Sequence, residues 1–361
     1  GVQSLIKGFY RNKVRMGPIE SMFSSLLLKI ITLGTYFIRL FPPEISHSLA
    51  LNSLKVSTNL GVSLKLKDSK NLPEAKKLLG MNFNNQLGIS AGLDKNGDYI
   101  ECLSKLGIGF LEVGTVTPRP QKGNPKPRLF RDTKNLSLTN SMGFNNKGVH
   151  YLVSKARKKT EECVLAISIG KNFDTSLDEA IKDYSFCLKQ VFEVADIVTV
   201  NISSPNTQGL RELQSSQKLP QLLGELKKEQ LELSKIYGYK PLLVKISPDE
   251  NEKSLEKIAK DLISHEIDGL IATNTSEFDG EKRIRGGISG SKLLQKSNRV
   301  LTIMRTCLGE DFPIIASGGV TDFKTYKQKI EAGADLVQIY TGLVYKGPKL
   351  IHEIVNEREN N

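Results

Sequence analysis

Cysteine is scarce in this chain and is not arranged as a metal site or a disulfide framework would require. The 361 residues include four cysteines, Cys102, Cys163, Cys187 and Cys307, and no two of them form a CxxC pair. Their scatter argues against a zinc site and against disulfide bonds, and is typical of a reducing compartment. We therefore predict no metal site. The chain also lacks a strand–GxGxxG–helix unit, which weakens the case for a dinucleotide-binding fold.

Acidic residues are missing from the first 19 positions, which carry Lys7, Arg11, Lys13 and Arg15. We interpret residues 1–21 as a leader-like or tag-like basic segment. The whole chain is basic as well, with a formal net charge of +12 at pH 7. This balance permits nucleic acid, anionic lipid or anionic small molecules as partners, and it selects none of them.

The most hydrophobic stretch, residues 22–41, lacks the uninterrupted apolar run of a membrane span. Lys29 and Arg39 interrupt it, and its polar residues recur at steps of three and four, which forms one stripe of an amphipathic helix. A proline pair ends this helix, and a second apolar helix is predicted from Pro43. We interpret residues 22–80 as a helical hood that docks on a membrane. The alternative is that both helices pack against the main domain.

Short apolar runs alternate with amphipathic helical stretches through the rest of the chain, residues 81–361. Eight strands are predicted, and they are Gln86–Ala91, Gly109–Gly114, Leu165–Gly170, Ile197–Ile202, Leu242–Ile246, Gly269–Thr273, Pro313–Ala316 and Leu336–Tyr340. Eight strands in βα alternation over this length predict an α/β fold of the (β/α)8 TIM-barrel type. A doubly wound open sheet is the alternative.

Polar residues and glycines follow every predicted strand, which is where a TIM barrel places its chemistry. In the densest of these stretches, Asn201, Ser204 and Asn206 offer neutral donors and acceptors to a planar polar ligand, although an ordinary polar turn has a similar composition. No histidine or cysteine lies in this stretch, so a base there has to be a hydroxyl. The cysteines lie in helical stretches or before strands, which argues against a thiol base.

Glycines at the last two strand ends suggest a phosphate site. Residues 287–290, 317–319 and 340–342 can present backbone N–H groups to an oxyanion, although such glycines are also common in plain turns. Lys95 and Lys245 are predicted to face the same cavity. Because a buried lysine needs a negative partner, we expect a carboxylate or an anionic flavin beside them.

Long motifs in these stretches resemble the quinone-linked class 2 of the dihydroorotate dehydrogenases. The similarity runs in order from about Pro43 to about Pro348, and residues 1–21 lie outside it. Among the similar motifs are GLDKNG (92–97), EVGTVTP (112–118), NSMGFN (140–145), NISSPNTQGLR (201–211) and GGISG (286–290). The resemblance implies a barrel that binds FMN, oxidises dihydroorotate to orotate in pyrimidine biosynthesis, and passes the electrons to a membrane quinone.

The resemblance also assigns residues to these roles. Ser204 is expected to take the C5 proton while the C6 hydride goes to FMN. The residues expected to bind the substrate are Lys95, Asn140, Ser141, Met142, Gly143, Phe144, Asn201, Asn206, Asn274 and Thr275. Those expected to bind FMN are Ala91, Gly92, Lys95, Thr115, Ser168, Asn201, Lys245, Thr273, Ser289, Gly290, Gly318, Gly319, Tyr340 and Thr341. Arg39, His47 and Arg131 are expected at the quinone entrance.

One position departs from the family pattern. The family usually has an asparagine at the position of Ser168, where it contacts flavin and substrate. The shorter serine is expected to leave a gap that water fills, with FMN still bound.

A serine base is typical of the membrane-linked class, so we expect a peripheral protein of the bacterial inner membrane, or alternatively of the mitochondrial one. Two other functions remain possible from the sequence. A tRNA-dihydrouridine synthase would suit the basic charge but works with an active-site cysteine, and no nucleic-acid partner is expected here. A basic membrane-binding module would carry no flavin.

Overall fold

The computed structural model describes residues 33–60, 76–158, 162–215, 217–279 and 285–357. The predicted basic segment 1–21, and residues 22–32 and 61–75 of the predicted hood, lie outside these described residues.

Eight parallel strands close into a barrel at the centre of the molecule. In chain order they are β1 (Leu87–Ile89), β2 (Phe110–Val116), β3 (Val164–Ile169), β4 (Ile197–Asn201), β5 (Leu242–Ile246), β6 (Gly269–Ala272), β7 (Ile314–Ser317) and β8 (Leu336–Ile339). Each strand pairs with the next, and β8 closes onto β1. The strands are apolar runs because side chains fill the barrel and helices cover its outer face. The TIM-barrel prediction is confirmed, and each predicted strand matches an observed one.

Helices connect the strands and cover the barrel. They are α1 (Pro43–Asn59), α2 (Ile100–Ser104), α3 (Val149–Ala156), α4 (Ala180–Val191), α5 (Glu212–Ser215), α6 (Lys218–Tyr237), α7 (Glu252–Ser264), α8 (Leu294–Leu308), α9 (Phe323–Glu331), α10 (Thr341–Lys346) and α11 (Lys349–Glu357). Side chains cap the starts of α7 and α9: Asn251 Oδ1 accepts a hydrogen bond from the Ser254 N–H, and the Asp322 carboxylate accepts one from the Thr325 N–H.

A hairpin of strands Lys76–Leu78 and Met81–Phe83 closes the amino-terminal end of the barrel. Phe83 packs edge-on against Phe110 of β2, with 5.8 Å between ring centroids. The Lys76 ammonium forms an ion pair with the Asp335 carboxylate at 2.8 Å. The predicted boundary after residue 80 falls inside this hairpin.

A four-stranded antiparallel sheet, which we call the cover sheet, carries residues of the site described below. Its strands are, in spatial order, Ser276–Asp279, Arg285–Gly290, Ser137–Asn140 and Leu129–Asp132. Residues 287–290 are therefore part of a strand, and this stretch is neither the end of a barrel strand nor a plain turn. The glycines allow neighbouring strands to approach closely, since a Cβ on Gly286 would lie 2.1 Å from the Asn140 carbonyl oxygen.

The described part of the hood consists of helical residues 33–38 and helix α1. Polar groups tie it to the barrel: Arg39 Nη1 donates to the Tyr345 carbonyl at 2.9 Å, and Arg128 Nε donates to Glu44 Oε1 at 2.8 Å. Large apolar side chains remain exposed, among them Leu40. Leu51 of α1 is buried in the main hydrophobic core, and Leu54 packs against it. The hood therefore packs on the main domain and also exposes apolar side chains. No helix in the described ranges is both long and apolar enough to span a membrane.

Candidate active site

A cavity lies at the carboxyl ends of the barrel strands and is bordered by residues of the cover sheet. Residues within or just after every barrel strand except β3 line it. The predicted site residues among them are Ala91, Gly92, Lys95, Thr115, Asn140, Met142, Gly143, Phe144, Asn201, Ser204, Asn206, Lys245, Thr273, Asn274, Thr275, Ser289, Gly290, Gly318, Gly319, Tyr340 and Thr341. Ser141 and Ser168 are not part of the lining. The lining residues of this cavity include no cysteine.

Two adjacent serines after β4 have different surroundings. Ser204 lines the cavity, and its Oγ accepts a long hydrogen bond of 3.3 Å from the Asn206 N–H. Ser203 is fully buried, and its hydroxyl contacts Asn201 Oδ1 at 3.4 Å and Asn274 Nδ2 at 3.1 Å. The Ser204 hydroxyl is therefore the one available to a ligand, while Ser203 supports the amides beside it.

Asparagine side chains converge on the cavity. Asn206 Nδ2 donates to Asn140 Oδ1 at 2.9 Å, and Asn274 Nδ2 donates to Asn201 Oδ1 at 3.2 Å. Asn140 and Asn201 each donate one N–H of the amide within the protein, to the Gly287 carbonyl and to Thr115 Oγ1, so the second N–H of each remains for a ligand. Neutral amides of this kind suit a planar ring with several N–H and C=O groups.

Ser168 lies behind Thr115 rather than in the cavity wall. Asn201 Nδ2 donates to Thr115 Oγ1 at 2.9 Å, and Thr115 Oγ1 is 2.8 Å from Ser168 Oγ. Ser168 is fully buried. In the structure it reaches the site through Thr115.

Lys245 has the negative partner that a buried lysine requires. Its Nζ lies 3.2 Å from Glu112 Oε2 and 3.1 Å from Ser90 Oγ. The same carboxylate oxygen accepts hydrogen bonds from the Ala91 N–H and from Gln338 Nε2, each at 3.0 Å. The partner is thus a protein carboxylate, one of the two possibilities left open by the sequence.

Two buried acceptors beside this ion pair have no donor among the described residues. They are Glu112 Oε1 and Gln338 Oε1. A buried acceptor without a donor is costly, by about 1–3 kcal/mol. A bound ring that carries N–H groups would fit this end of the cavity.

Lys95 stands at the opposite side of the polar lining. Its Nζ donates to the Gly92 carbonyl at 2.8 Å. Burial, followed by the positive charge of Arg128, lowers the pKa of Lys95 to about 8, against the opposing influence of Glu44 and Asp94. A lysine in this position is still mostly protonated at neutral pH and suits an incoming carboxylate.

The glycine-rich end of the cavity fits a phosphate. Gly318 and Gly319 have φ angles of 112° and 89° and follow β7 directly. The hydroxyls of Thr341 and Ser289 meet beside them at 2.8 Å. The Gly319 N–H has no acceptor among the described residues. Backbone N–H groups and hydroxyls without charge of their own are a common way to bind phosphate at this end of a TIM barrel.

Comparison with known proteins decides the family. The family model for dihydroorotate dehydrogenase matches residues 74–360. The chain belongs to the dihydroorotate dehydrogenase family. It is 44% identical over 344 residues to the dihydroorotate dehydrogenase (quinone) of Buchnera aphidicola subsp. Schizaphis graminum, covering 92% of this chain and 99% of that one. The corresponding Pseudomonas putida protein is 44% identical over 336 residues, covering 90% and 97%.

A solved structure of the same family has the same fold. Dihydroorotate dehydrogenase (DHODH) of Eimeria tenella, in complex with ferulenol, superposes with a TM-score of 0.80 at 32% identity, covering 88% of this chain and 91% of that chain. The prediction that this chain is an oxidoreductase of the dihydroorotate dehydrogenase family is confirmed.

The protein has a second cavity, of about 330 Å³, between the hood and the barrel. It is mostly apolar, and Arg39, His47 and Arg131 all line it. Burial, followed by the charge of Lys95, lowers the pKa of His47 to about 4, so His47 is neutral at physiological pH.

The two cavities share part of their walls. Leu129, Leu138 and Tyr340 line both the polar cavity and the apolar one. Burial raises the pKa of Tyr340 to about 12, which keeps its hydroxyl protonated. A ligand in either cavity can therefore contact the opposite faces of the same side chains.

Sequence reasoning missed three residues that position this site. Glu112 pairs with Lys245, and Gln338 donates a hydrogen bond to Glu112. A lone acid inside the apolar strand FLEVGTV was the available signal for this pair. Arg211 was also missed. Its guanidinium donates to the Ser203 carbonyl at 3.0 Å and to the Thr275 carbonyl at 2.7 Å, and so holds two cavity loops together.

Proposed function

We propose that this protein oxidises (S)-dihydroorotate to orotate in pyrimidine biosynthesis and passes the electrons through FMN to a membrane quinone. One observation carries the proposal. A polar cavity with a serine hydroxyl, amides and a lysine shares Leu129, Leu138 and Tyr340 with an apolar cavity beneath the hood. Two half-reactions, one with a polar acid and one with a lipid-soluble acceptor, need such a pair of sites. The names of the relatives, dihydroorotate dehydrogenase (quinone), support the same reaction.

FMN would occupy the part of the polar cavity between the Glu112–Lys245 pair and the glycines after β7. The bound flavin supplies the acceptor for the C6 hydride. Lys245 and the unpaired acceptors beside Glu112 would contact its ring, while Gly319, Ser289 and Thr341 would hold its phosphate. The other residues proposed to contact it are Ala91, Gly92, Lys95, Thr115, Ser168, Asn201, Thr273, Gly290, Gly318 and Tyr340. For Ser168 the contact would act through Thr115.

The substrate would lie between the amides and Ser204. Lys95 would bind its carboxylate, since the ammonium is buried with no ion-pair partner among the described residues. Asn140, Asn201, Asn206 and Asn274 would hold the ring, with Ser141, Met142, Gly143, Phe144 and Thr275 around them. The Ser204 Oγ would take the C5 proton. A serine hydroxyl is a weak base, so this step is expected to accelerate as pH rises.

The quinone would enter the apolar cavity, with Arg39, His47 and Arg131 at its polar edge. The exposed apolar side chains of the hood would rest in the membrane surface, which places the opening at the lipid phase. We propose peripheral association with a bacterial inner membrane, the mitochondrial inner membrane being the alternative. No nucleic-acid partner is proposed.

The deciding experiment is anaerobic mixing of the purified full chain with dihydroorotate while flavin absorbance is followed. Bleaching, reversed by a short-chain quinone, is the expected result. A yellow protein that stays yellow would contradict the proposed substrate and favour an RNA-modifying flavoprotein. A protein that binds no FMN even when FMN is added would contradict the proposal altogether, and would favour a membrane-binding module.

A further inference from the structure

A lysine is buried behind the glycine loop that follows β7, on the side away from the cavity. Lys329 lies on α9, and its side chain is fully buried. Its Nζ donates a hydrogen bond of 2.5 Å to Ser297 Oγ on α8. Neither residue lines the polar cavity, so the proposed reaction assigns them no task.

Ser297 connects this lysine to the glycine loop. Its Oγ lies 3.0 Å from the Gly318 carbonyl oxygen and 3.0 Å from the Leu294 carbonyl oxygen. A lysine ammonium can only donate, so Ser297 Oγ accepts from it, and the single hydroxyl proton is directed at the carbonyls. The carbonyl of Gly318 is thereby held toward α8.

The orientation of that carbonyl fixes the orientation of the next N–H. The Gly318–Gly319 peptide is trans, and in a trans peptide the C=O and N–H point in opposite directions. Holding the carbonyl on Ser297 therefore aims the Gly319 N–H away from α8, and Gly319 lines the cavity. The loop has no room for a side chain here, since a Cβ on Gly319 would lie 2.4 Å from Leu294 Cα.

Lys329 has no acidic partner in the described ranges. Burial alone lowers the pKa of Lys329, to about 7. The elements that pack against α9 carry charged side chains, including Arg299 and Arg305 on α8 and Glu353 on α11. These charges are not among the causes of the lowered pKa of Lys329. A buried ammonium with no counter-charge is unfavourable, so an anion on the far side of the loop would stabilise it.

We propose that Lys329 is a positioning residue for the phosphate end of the flavin. It places a positive charge behind the loop that the phosphate faces, and it acts through Ser297 and the Gly318–Gly319 peptide. This inference rests on the proposed function, because FMN is the ligand that brings a phosphate to this loop.

The proposed role of Lys329 predicts the direction in which FMN affinity changes with pH. A phosphate dianion favours protonated Lys329, so protonation of Lys329 favours binding of the dianion by the same factor. The contribution of Lys329 to FMN affinity is complete below the pKa of about 7 in the flavin-free protein. It is lost as pH rises through the higher pKa of the complex.

The test compares FMN with riboflavin, which lacks the phosphate, on the flavin-free full chain. Lys329→Met is expected to weaken FMN binding roughly tenfold and to remove the loss of affinity at high pH, while riboflavin binding is unchanged. Ser297→Ala, which keeps the lysine but breaks the connection, is expected to act in the same direction. Lys171→Met removes another fully buried lysine, hydrogen-bonded to the Asn172 and Thr175 carbonyls, and serves as the matched control.

The outcomes separate the two proposals. Equal weakening of FMN and riboflavin, or no weakening of either, would overturn the role of Lys329. A wild-type chain that binds neither flavin would instead overturn the proposed function. If Lys329→Met does not fold, as judged by thermal unfolding, the ratio of FMN to riboflavin affinity in Ser297→Ala decides by the same criterion.

Discussion

At the scale of single residues, the site depends on which side chains remain free to meet a ligand. Ser204 has only a long hydrogen bond from the Asn206 N–H, whereas Ser203 is engaged by two asparagine side chains. A base must be able to approach its proton, and a hydroxyl that already serves two amides cannot do so without breaking their arrangement. We therefore propose Ser204 as the base and Ser203 as its support.

Replacing Ser204 by alanine is expected to leave orotate binding nearly intact and to slow flavin reduction by dihydroorotate by orders of magnitude. Removal of one hydroxyl deletes the base but leaves Lys95 and the amides in place. Stopped-flow absorbance under anaerobic conditions measures the rate, and Ser203→Ala is the matched control with a much smaller loss. Equal rates in wild type and Ser204→Ala would remove Ser204 from its proposed role.

The pKa of Lys95, lowered to about 8 by burial and by Arg128, predicts the pH dependence of binding. Orotate should bind with constant affinity below about pH 7 and progressively more weakly above pH 8, because its carboxylate requires the protonated amine. The rate of flavin reduction should rise over the same range. Titration of the flavin spectrum with orotate measures the affinity. Lys95→Met should bind weakly at every pH, and a pH profile that survives in this variant would contradict the assignment.

Ser168 is a third residue whose role can be tested separately. Its hydroxyl contacts Thr115 Oγ1 at 2.8 Å from a fully buried position. Ser168→Asn is expected to change FMN affinity or the reduction rate severalfold, because the longer amide enters the space that we expect water to fill. Ser168→Ala, which only removes the contact to Thr115, should lower stability by about 1 kcal/mol. Unchanged affinity and rate in Ser168→Asn would show that the site is indifferent to this position.

At the scale of elements, the hood presents its apolar side outward. Leu40 is 71% exposed and Ile45 is 50% exposed, while Arg39 and Glu44 of the same segment hold contacts to the barrel. Hydrogen bonds from Arg128 and Lys126 lower the pKa of Glu44 although burial opposes them, so this anchor is charged at neutral pH. The hood is thus attached by polar groups and by Leu51, which is buried in the core, and part of its hydrophobic surface stays exposed.

A double variant, Leu40→Ser with Ile45→Ser, is expected to lose membrane binding and quinone turnover together. Each side chain that enters an apolar phase contributes about 1–2 kcal/mol, so the two together contribute about 2–4 kcal/mol and vesicle affinity should fall roughly 30- to 1,000-fold. Flavin reduction by dihydroorotate should not change. Ile263→Ser on α7 is the matched control, since Ile263 is 51% exposed on the barrel surface. Vesicle flotation and quinone reduction measure the two effects, and an equal loss in the control would contradict a specific docking face.

Some secondary-structure elements could be predicted from the sequence and others could not. The barrel strands were predictable because both of their faces are buried, which produces short apolar runs that end in polar residues. The cover sheet was not, since its strands are short and Arg285–Gly290 contains three glycines, which usually indicate turns. Likewise, nothing in the order of Ser203 and Ser204 shows which one faces the cavity. The Ser203 hydroxyl is held by the amides of Asn201, at the end of β4, and of Asn274, just after β6, and these two residues are far apart in the sequence.

At the scale of the whole molecule, the excess of positive charge adds a second attraction to a membrane. The formal net charge is +12, and bacterial and mitochondrial membranes expose anionic lipids. Binding to anionic vesicles is therefore expected to weaken with salt, since the Debye length falls from about 10 Å at 0.1 M to about 3 Å at 1 M. Binding to neutral vesicles, which depends on the apolar hood, should not weaken. Sedimentation across a salt series measures both, and equal salt dependence for the two lipids would contradict this view.

The wall that Leu129, Leu138 and Tyr340 form between the two cavities affects how electrons would pass from one cavity to the other. Electrons tunnel readily through a layer one side chain thick, whereas neither a carboxylic acid nor a lipid-soluble ring can diffuse through it. In the proposed reaction, the wall would keep the water-soluble substrate apart from the lipid-soluble acceptor while electrons pass between the two cavities. Each reactant would then be oxidised or reduced without leaving its own solvent.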